Sequence, residues 1–294
     1  MSLVAGCTFL LVTWLLLRSA DNPELPVTQQ TTQLRVQQLP CPQGLVVTVQ
    51  DGGRLGNKLF EYAAVWSLAR LLNRTAYVPS AILAYLGHVF VNLSVPALES
   101  VSHCHLDLGP PLKRYQLTPL SKLKQRYRDR NILLHKWIVL PEPVLRVRRH
   151  LRDELQFYPR ILSQVAETFR GFGRENVTYV GVHVRRTDFA TFLPREFHTN
   201  LVTAKYFHRA MAWFREKLEG DVLFVVVSDD PEWCQRELMV HKDVVLAAKT
   251  GSAGAFHDLA LLASCNHTII DYGTYGTWGA LLAGGHTIAL GIDE

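Results

Sequence analysis

The stretch Tyr179–Phe189, YVGVHVRRTDF, decides how this chain folds. Val180, Val182 and Val184 make a β-branched apolar run, which reads as a short buried strand. The run stops at Arg185 and Arg186, at a strand's carboxyl end, where open α/β sheets bind their ligands. If the strand continues through them, the two arginines point to opposite faces, one into a crevice and one toward an internal partner. A guanidinium presents a planar fork of donors that matches phosphate oxygens and keeps its charge at any working pH. His183 shares the face of Arg185, and Asp188 follows on the turn, where it can pair with Arg186. The stretch therefore reads as an anionic-ligand clamp. The plain alternative is a basic strand end braced by Asp188.

Downstream, Thr203 to Leu218 has helical spacing. Val222 to Val227 is a continuous apolar strand ending at Ser228-Asp229-Asp230-Pro231, whose carboxylates suit a ribose, a metal or the cap of the next helix. Val244 to Ala247 reads as a strand, Phe256 to Ala263 as a helix carrying Asp258, and Thr268 to Ile270 as a strand. A Gly/Thr-rich turn from Asp271 to Thr277 then opens a helix from Trp278 to Ala283, which suits phosphate binding. Upstream, Leu45 to Gln50 reads as a first strand. It breaks at Asp51-Gly-Gly and Arg54-Leu-Gly-Asn-Lys before a helix from Leu59 to Leu72. This unit lets backbone amides approach a diphosphate, with Asn57 and the adjacent Gly56 at the end of the turn. It lacks the Walker lysine ending and the full dinucleotide fingerprint. Arg148 to Arg170 reads as a helix broken near Pro159, and Tyr77 to Arg146 yields no assignment. Strands alternating with helices, with ligand-type residues at strand ends, predict an α/β protein of doubly wound type.

The first 17 residues are almost continuously apolar and end at Arg18, which predicts an uncleaved signal anchor over residues 1–20. Residues 21–44, rich in Gln, Thr and Pro, read as a flexible stem. The composition of the 294-residue chain, 48% hydrophobic and 19% charged, is globular. Its net charge of +5 is modest, and the basic clusters Lys113–Arg130 and Arg146–Arg152 read as solvated faces. No nucleic-acid motif accompanies them, so nucleic acid is not an expected partner. Cys41, Cys104, Cys234 and Cys265 lie beyond the anchor. They allow disulfides without specifying a pairing, and no CxxC spacing suggests zinc. The sequons at Asn73, Asn92 and Asn176 are expected to carry glycans in a secretory compartment. A fourth, at Asn266, borders a buried strand and is the least suited.

Four motifs in order, GGRLGNKLFEYAA (Gly52–Ala64), VGVHVRRTDF (Val180–Phe189), FVVVSDDPEWC (Phe224–Cys234) and SCNHTIIDYGTYGTWGALLAGGHT (Ser264–Thr287), resemble the galactoside α-1,2-fucosyltransferases. The arginine motif is also similar to that of α-1,6- and protein O-fucosyltransferases. The resemblance implies a GT-B architecture: a Rossmann-like acceptor-side half over residues 45–155, a GDP-fucose-binding half over 156–294, and the donor between them. It implies inverting, metal-independent transfer of fucose to the 2-hydroxyl of a terminal galactose, by a type II Golgi membrane protein. Arg185 would hold the β-phosphate, with Arg186, Ser228 and Asp229 around the donor site and Asn57 near the diphosphate or fucose. His183 and Asp258 would contact guanosine, and Thr274, Tyr275, Gly276 and Thr277 the phosphates. Asp188 is the candidate base, and a homodimer stays open. Lys58 stands where the family usually has Gln, and the chain ends at Glu294, soon after the fourth motif. The alternative is thus an impaired member that binds glycan or GDP-sugar without turnover. A metal-dependent transferase using Asp229-Asp230 is disfavoured, because that pair lacks DxD spacing.

Overall fold

The computed structural model describes residues 37–112, 119–247 and 251–290. The expected anchor, residues 21–36 of the expected stem and residues 113–118 of the first basic cluster lie outside them. No helix among the described residues is long and apolar enough to cross a membrane.

In chain order the elements begin β1 (Val46–Val49), α1 (Leu55–Leu72), β2 (Thr75–Ala76), α2 (Ser80–Leu86) and β3 (Phe90–Val91). They continue α3 (Leu120–Arg126), β4 (Ile132–Leu134), α4 (Pro141–Arg146), α5 (Arg148–Glu154), β5 (Gln156–Phe157) and α6 (Pro159–Gly171). Next come β6 (Val177–Val184), α7 (Phe189–Phe197), α8 (Ala204–Lys217), β7 (Asp221–Ser228) and α9 (Pro231–Glu237). The chain closes with β8 (Val244–Leu246), α10 (Gly251–Ala263), β9 (His267–Ile270), α11 (Gly273–Ala283) and β10 (Thr287–Ala289).

These elements form two units. The first holds residues 37–87 and Asn92–Glu154; the second holds His88–Val91 and the chain from Leu155 on. The first unit has a parallel sheet of order β2-β1-β4. Helix α1 packs on β1 and is buried nearly all round, from Leu55 to Ala69. A helix with no solvent face needs apolar residues at every turn, so the charges it carries inside, Lys58 and Glu61, require partners. The Cys41–Cys104 disulfide ties the entering segment to the loop after Val101. Cys234 and Cys265 are unpaired and buried. Burial pushes their thiols up to about 11 and about 12, which keeps both inert.

The second unit has a five-stranded parallel sheet of order β10-β9-β6-β7-β8. Strand β6 pairs with β7 from Val177↔Asp221 to Val184↔Ser228 and with β9 from Val180↔His267 to His183↔Ile270. The chain leaves β6 toward β7 and β8, then returns to place β9 and β10 on the opposite side. The topological switch point therefore lies between the carboxyl ends of β6 and β9, where doubly wound sheets bind ligands. Val180, Val182, Phe207, Phe214, Phe224 and Val226 are fully buried in the core that holds these strands. Both units are Rossmann-like, as the strand–helix alternation predicts.

Several elements differ from their expected bounds, α10 among them, which begins at Gly251 and not Phe256. Helix α1 begins at Leu55, because Arg54-Leu-Gly-Asn-Lys is already helical: Lys58 N–H donates to the Arg54 carbonyl at 3.0 Å. Helix α11 begins at Gly273, not Trp278. Glycine disfavours helix by about 1 kcal/mol, but packing here admits no side chain. A Cβ on Gly279 would stand 2.9 Å from Leu262, and one on Gly276 would stand 2.5 Å from His183 Nδ1. The helix expected over Arg148–Arg170 breaks before Pro159 as expected, into α5 and α6, and the unexpected element is β5 between them, which pairs antiparallel to β3. Pro159 opens α6, where its missing N–H costs nothing.

Candidate active site

Strand β6 ends at Val184, so strand alternation does not reach the two arginines. Carboxylates at the ends of neighbouring strands separate them instead. The Arg185 N–H donates to Asp271 Oδ2 at the end of β9 (2.8 Å), and the Arg186 N–H to Asp229 Oδ1 at the end of β7 (2.9 Å). The turn is thus hung between the two strands that flank β6. The Arg185 guanidinium spans Asp188 Oδ1 at 2.7 Å and Asp229 Oδ2 at 2.9 Å, with its side chain 23% exposed. Arg186 goes elsewhere: its Nε meets Asp230 Oδ2 at 3.2 Å, and its guanidinium lies 3.9 Å from the centre of the Trp233 ring. Asp188 therefore pairs with Arg185, not with Arg186 as expected.

Of the readings left open for Ser228-Asp229-Asp230, the structure shows the helix cap. Ser228 Oγ accepts the Asp230 N–H at 2.9 Å, and Asp230 Oδ1 caps α9 by accepting the Trp233 N–H at 3.1 Å. Asp229 also accepts from the Thr187 hydroxyl. Both carboxylates are held by protein cations, amides and a hydroxyl.

On the other side of Arg185, His183 is 5% exposed. Its Nδ1 is 3.3 Å from Asp271 Oδ1, and its ring lies 5.4 Å from that of Tyr275. Asp271, which the sequence reading placed only in a turn, is the residue it missed. It is buried at 3% exposure and receives the amides of Arg185 and, at 2.6 Å, Tyr272. Burial raises its carboxyl above the ordinary aspartate value, against the amides and His183, which lower it. Helix α11 starts beside this group, and Tyr272 gives its N-terminus no side-chain cap. Thr274 and Tyr275 are partly accessible, while Gly276 and Thr277 are buried, with Thr277 Oγ1 donating to the Gly273 carbonyl at 3.1 Å. Gly276→Ala forces its methyl against the His183 ring. The expected outcome is a destabilisation of about 1–3 kcal/mol from overpacking, read by thermal melting, with an altered His183 imidazole resonance in the NMR spectrum.

Asp258 stands on α10, buried, with Oδ1 3.0 Å from His257 Nδ1; His257 Nε2 is 3.1 Å from Thr168 Oγ1 on α6. Asn57 and Gly56 lie in the first unit, on the first turn of α1, so the structure places them on a different element set from the arginine cluster. A Cβ on Gly53, which has φ +70°, would stand 2.2 Å from Asn57 Nδ2. The Asn57 side chain therefore lies directly on that turn. Lys58 spends its charge on Asp51 and lies 5.6 Å from the centre of the Tyr85 ring.

Two Rossmann-like units in succession make this a chain of GT-B type. It belongs to glycosyl transferase family 11, whose description matches residues 17–294. It is 32% identical to galactoside 2-alpha-L-fucosyltransferase SEC1 of Bos taurus over 266 residues, covering 85% of this chain and 67% of that protein. It is 33% identical to galactoside alpha-(1,2)-fucosyltransferase 1 of Saimiri sciureus over 297 residues, covering 91% and 73%. Among solved structures, a mutant of Arabidopsis thaliana FUT1 in complex with GDP aligns with a TM-score of 0.55 at 14% identity, covering 89% of this chain and 74% of that one. NodZ alpha-1,6-fucosyltransferase soaked with GDP-fucose aligns at 0.51 and 17% identity, covering 81% and 92%. These two likenesses speak for the fold.

Proposed function

We infer that this chain is a galactoside fucosyltransferase that moves fucose from GDP-fucose, with inversion, to galactose-terminated glycans. The observation that carries the reading is family membership over most of the chain, joined to a guanidinium and an uncapped helix N-terminus at the switch point of the second sheet. The second unit serves the donor and the first the acceptor, with transfer to the galactose 2-hydroxyl as in the named relatives. As GDP departs, negative charge builds on the β-phosphate while the sugar becomes oxocarbenium-like. Arg185 and the first-turn amides of α11 are preorganised donors for that charge. His183 and Asp258 are assigned to the guanosine, Asn57 and Gly56 to the diphosphate or fucose, and Thr274 to Thr277 to the phosphates. Arg186, Ser228 and Asp229 support the donor site through the turn. Asp188 is the proposed base for the acceptor hydroxyl, sharing Arg185 with Asp229.

No metal is needed in this reading, because Arg185, Arg186 and Thr187 already engage Asp229 and Asp230. Excess chelator is expected to leave the transfer rate within twofold. A loss of activity on chelation that manganese restores would move the phosphate charge onto a metal. The direct test incubates the chain with GDP-fucose and a panel of galactosides, followed by mass spectrometry and linkage analysis. Fucose on a position other than O2 would overturn the linkage, and GDP-fucose binding without product would mark an impaired family member.

The protein is placed in the Golgi, held by a type II anchor over residues 1–20. The Cys41–Cys104 disulfide suits an oxidising lumen. Asn73, Asn92 and Asn176 are exposed glycan acceptors. Asn266, though also exposed, is not assigned a glycan, since its Oδ1 accepts the Tyr179 N–H at 2.9 Å and the Thr268 of its sequon is fully buried.

A further inference from the structure

Glu61 is an acid with 0% exposure inside the first unit. It lies four residues after Asn57 on α1, so the two share a face of the helix. Its Oε1 accepts the Trp137 N–H at 2.7 Å and its Oε2 the Gly52 N–H at 3.3 Å. Gly52 opens the turn after β1, and Trp137 lies in the loop after β4 with left-handed backbone, φ 62°. Because β1 and β4 are parallel neighbours, both loops leave the same end of the sheet. They touch there: a Cβ on Gly52 would stand 2.8 Å from Trp137 Nε1. Gly53, next in the turn, carries the Asn57 side chain directly on it.

We propose that Glu61 is a positioning residue, which pins the Gly52–Gly53 turn to the Trp137 loop and thereby sets the place of the Asn57 side chain. A buried acid joined to two backbone amides from separate loops fixes both loops against one rigid helix. The surrounding charges fit that part. Lys58, on the same helix, is paired with Asp51 of the turn, and the Lys136 ammonium of the other loop lies over the Trp137 ring at 4.3 Å. Burial is the largest influence and pushes the Glu61 carboxyl up to about 8, against the Trp137 and Gly52 amides and Lys58, which lower it. Each carboxyl oxygen thus faces one backbone N–H, and glutamine copies the side chain's size. Glutamine cannot copy its acceptors, because its amino group turns a donor toward one of the two N–H groups.

The bearing on catalysis rests on the assignment of Asn57 to the donor; the pin itself does not. Backbone amide exchange, followed by NMR on the wild-type chain, must show Gly52 and Trp137 protected at least tenfold over unstructured rates. Free exchange at both overturns the pin whatever any variant does. In Glu61→Gln, one or both of these amides lose at least tenfold protection while the amides of residues 62–68 in α1 keep theirs. The dissociation constant for GDP-fucose then rises about tenfold, and Glu61→Asp, which retains two acceptors, recovers part of that loss. Protection lost throughout α1 would make Glu61 a general stabiliser and overturn the proposal, as would a glutamine variant that matches the parent in exchange and binding. A wild-type chain that binds no GDP-fucose would remove the donor reading, while amide exchange still decides the pin.

Discussion

Replacing Arg185 by lysine is expected to weaken GDP binding by roughly tenfold to a hundredfold, and replacing Arg186 by lysine to leave it within threefold. A hydrogen bond to a charged group contributes about 1.5–3 kcal/mol, and each 1.4 kcal/mol is about tenfold in affinity. Lysine keeps the charge at position 185 but offers a point donor where the guanidinium offers a fork. In the ligand-free chain that fork is spread over Asp188 and Asp229. Both are partly exposed pairs worth roughly 0–1 kcal/mol each, so phosphate can compete for the same nitrogens without a large cost. For the same reason Arg185→Lys should melt within a few degrees of the parent. Arg186 has the opposite profile. Its guanidinium lies on Trp233 and its Nε on Asp230, so lysine there loses a stacked contact worth about 0.5–2 kcal/mol and lowers the melting temperature. Calorimetric titration with GDP and thermal melting of both variants separate the roles. If Arg185→Lys binds GDP like the parent, the anion site lies elsewhere.

The largest effect on stability is expected at Asp271. Alanine there removes the acceptor of the partly buried Arg185 amide and the buried Tyr272 amide, and the neighbour of His183 Nδ1. Leaving a buried donor unpaired costs about 1–3 kcal/mol; the Tyr272 amide bears that in full and the partly buried Arg185 amide less, for a total of about 2–4 kcal/mol. For a chain of this size that lowers the melting temperature by roughly 4–16 °C. GDP affinity should fall as well, because Asp271 fixes the backbone of Arg185 from the β9 side. Asp271→Asn keeps one acceptor oxygen and the shape, and is expected to fall between alanine and the parent. The check is paired melting and GDP titration of both variants. An alanine variant within 2 °C of the parent would mean that water or another side chain takes over the two amides, and that the β6–β9 junction is not held by this carboxylate.

Much of this protein was determined by local sequence. The valine alternation of β6, the apolar run of β7 and the breaks at Asp51-Gly-Gly and Ser228-Asp-Asp-Pro fix strands and their ends, because burial on a pleated sheet selects β-branched residues and turns select glycine and aspartate. The same runs fix the doubly wound class, and the four motifs carry the family. The tertiary structure decided which group answers which. Alternation along one strand was expected to send the arginines to opposite faces. What sends Arg185 to Asp188 and Asp229, and Arg186 to Asp230 and Trp233, is the strand order β9-β6-β7, a pairing of segments some 40 to 90 residues apart. Glycines at 273 and 276 read locally as a turn. Both lie in the first turn of α11, where Gly273 takes a positive φ and the His183 ring leaves no room for a Cβ on Gly276. Glu61 sat unremarked within GNKLFEYAA, since an acid in an apolar helix gives no local sign of the two loop amides that hold it. Four cysteines likewise gave no pairing until the fold set Cys41 beside Cys104 and sealed the other two in the core. Short-range chemistry selects elements, whereas partners for buried charge and polar groups are supplied by residues distant in sequence, and only the packed chain names them.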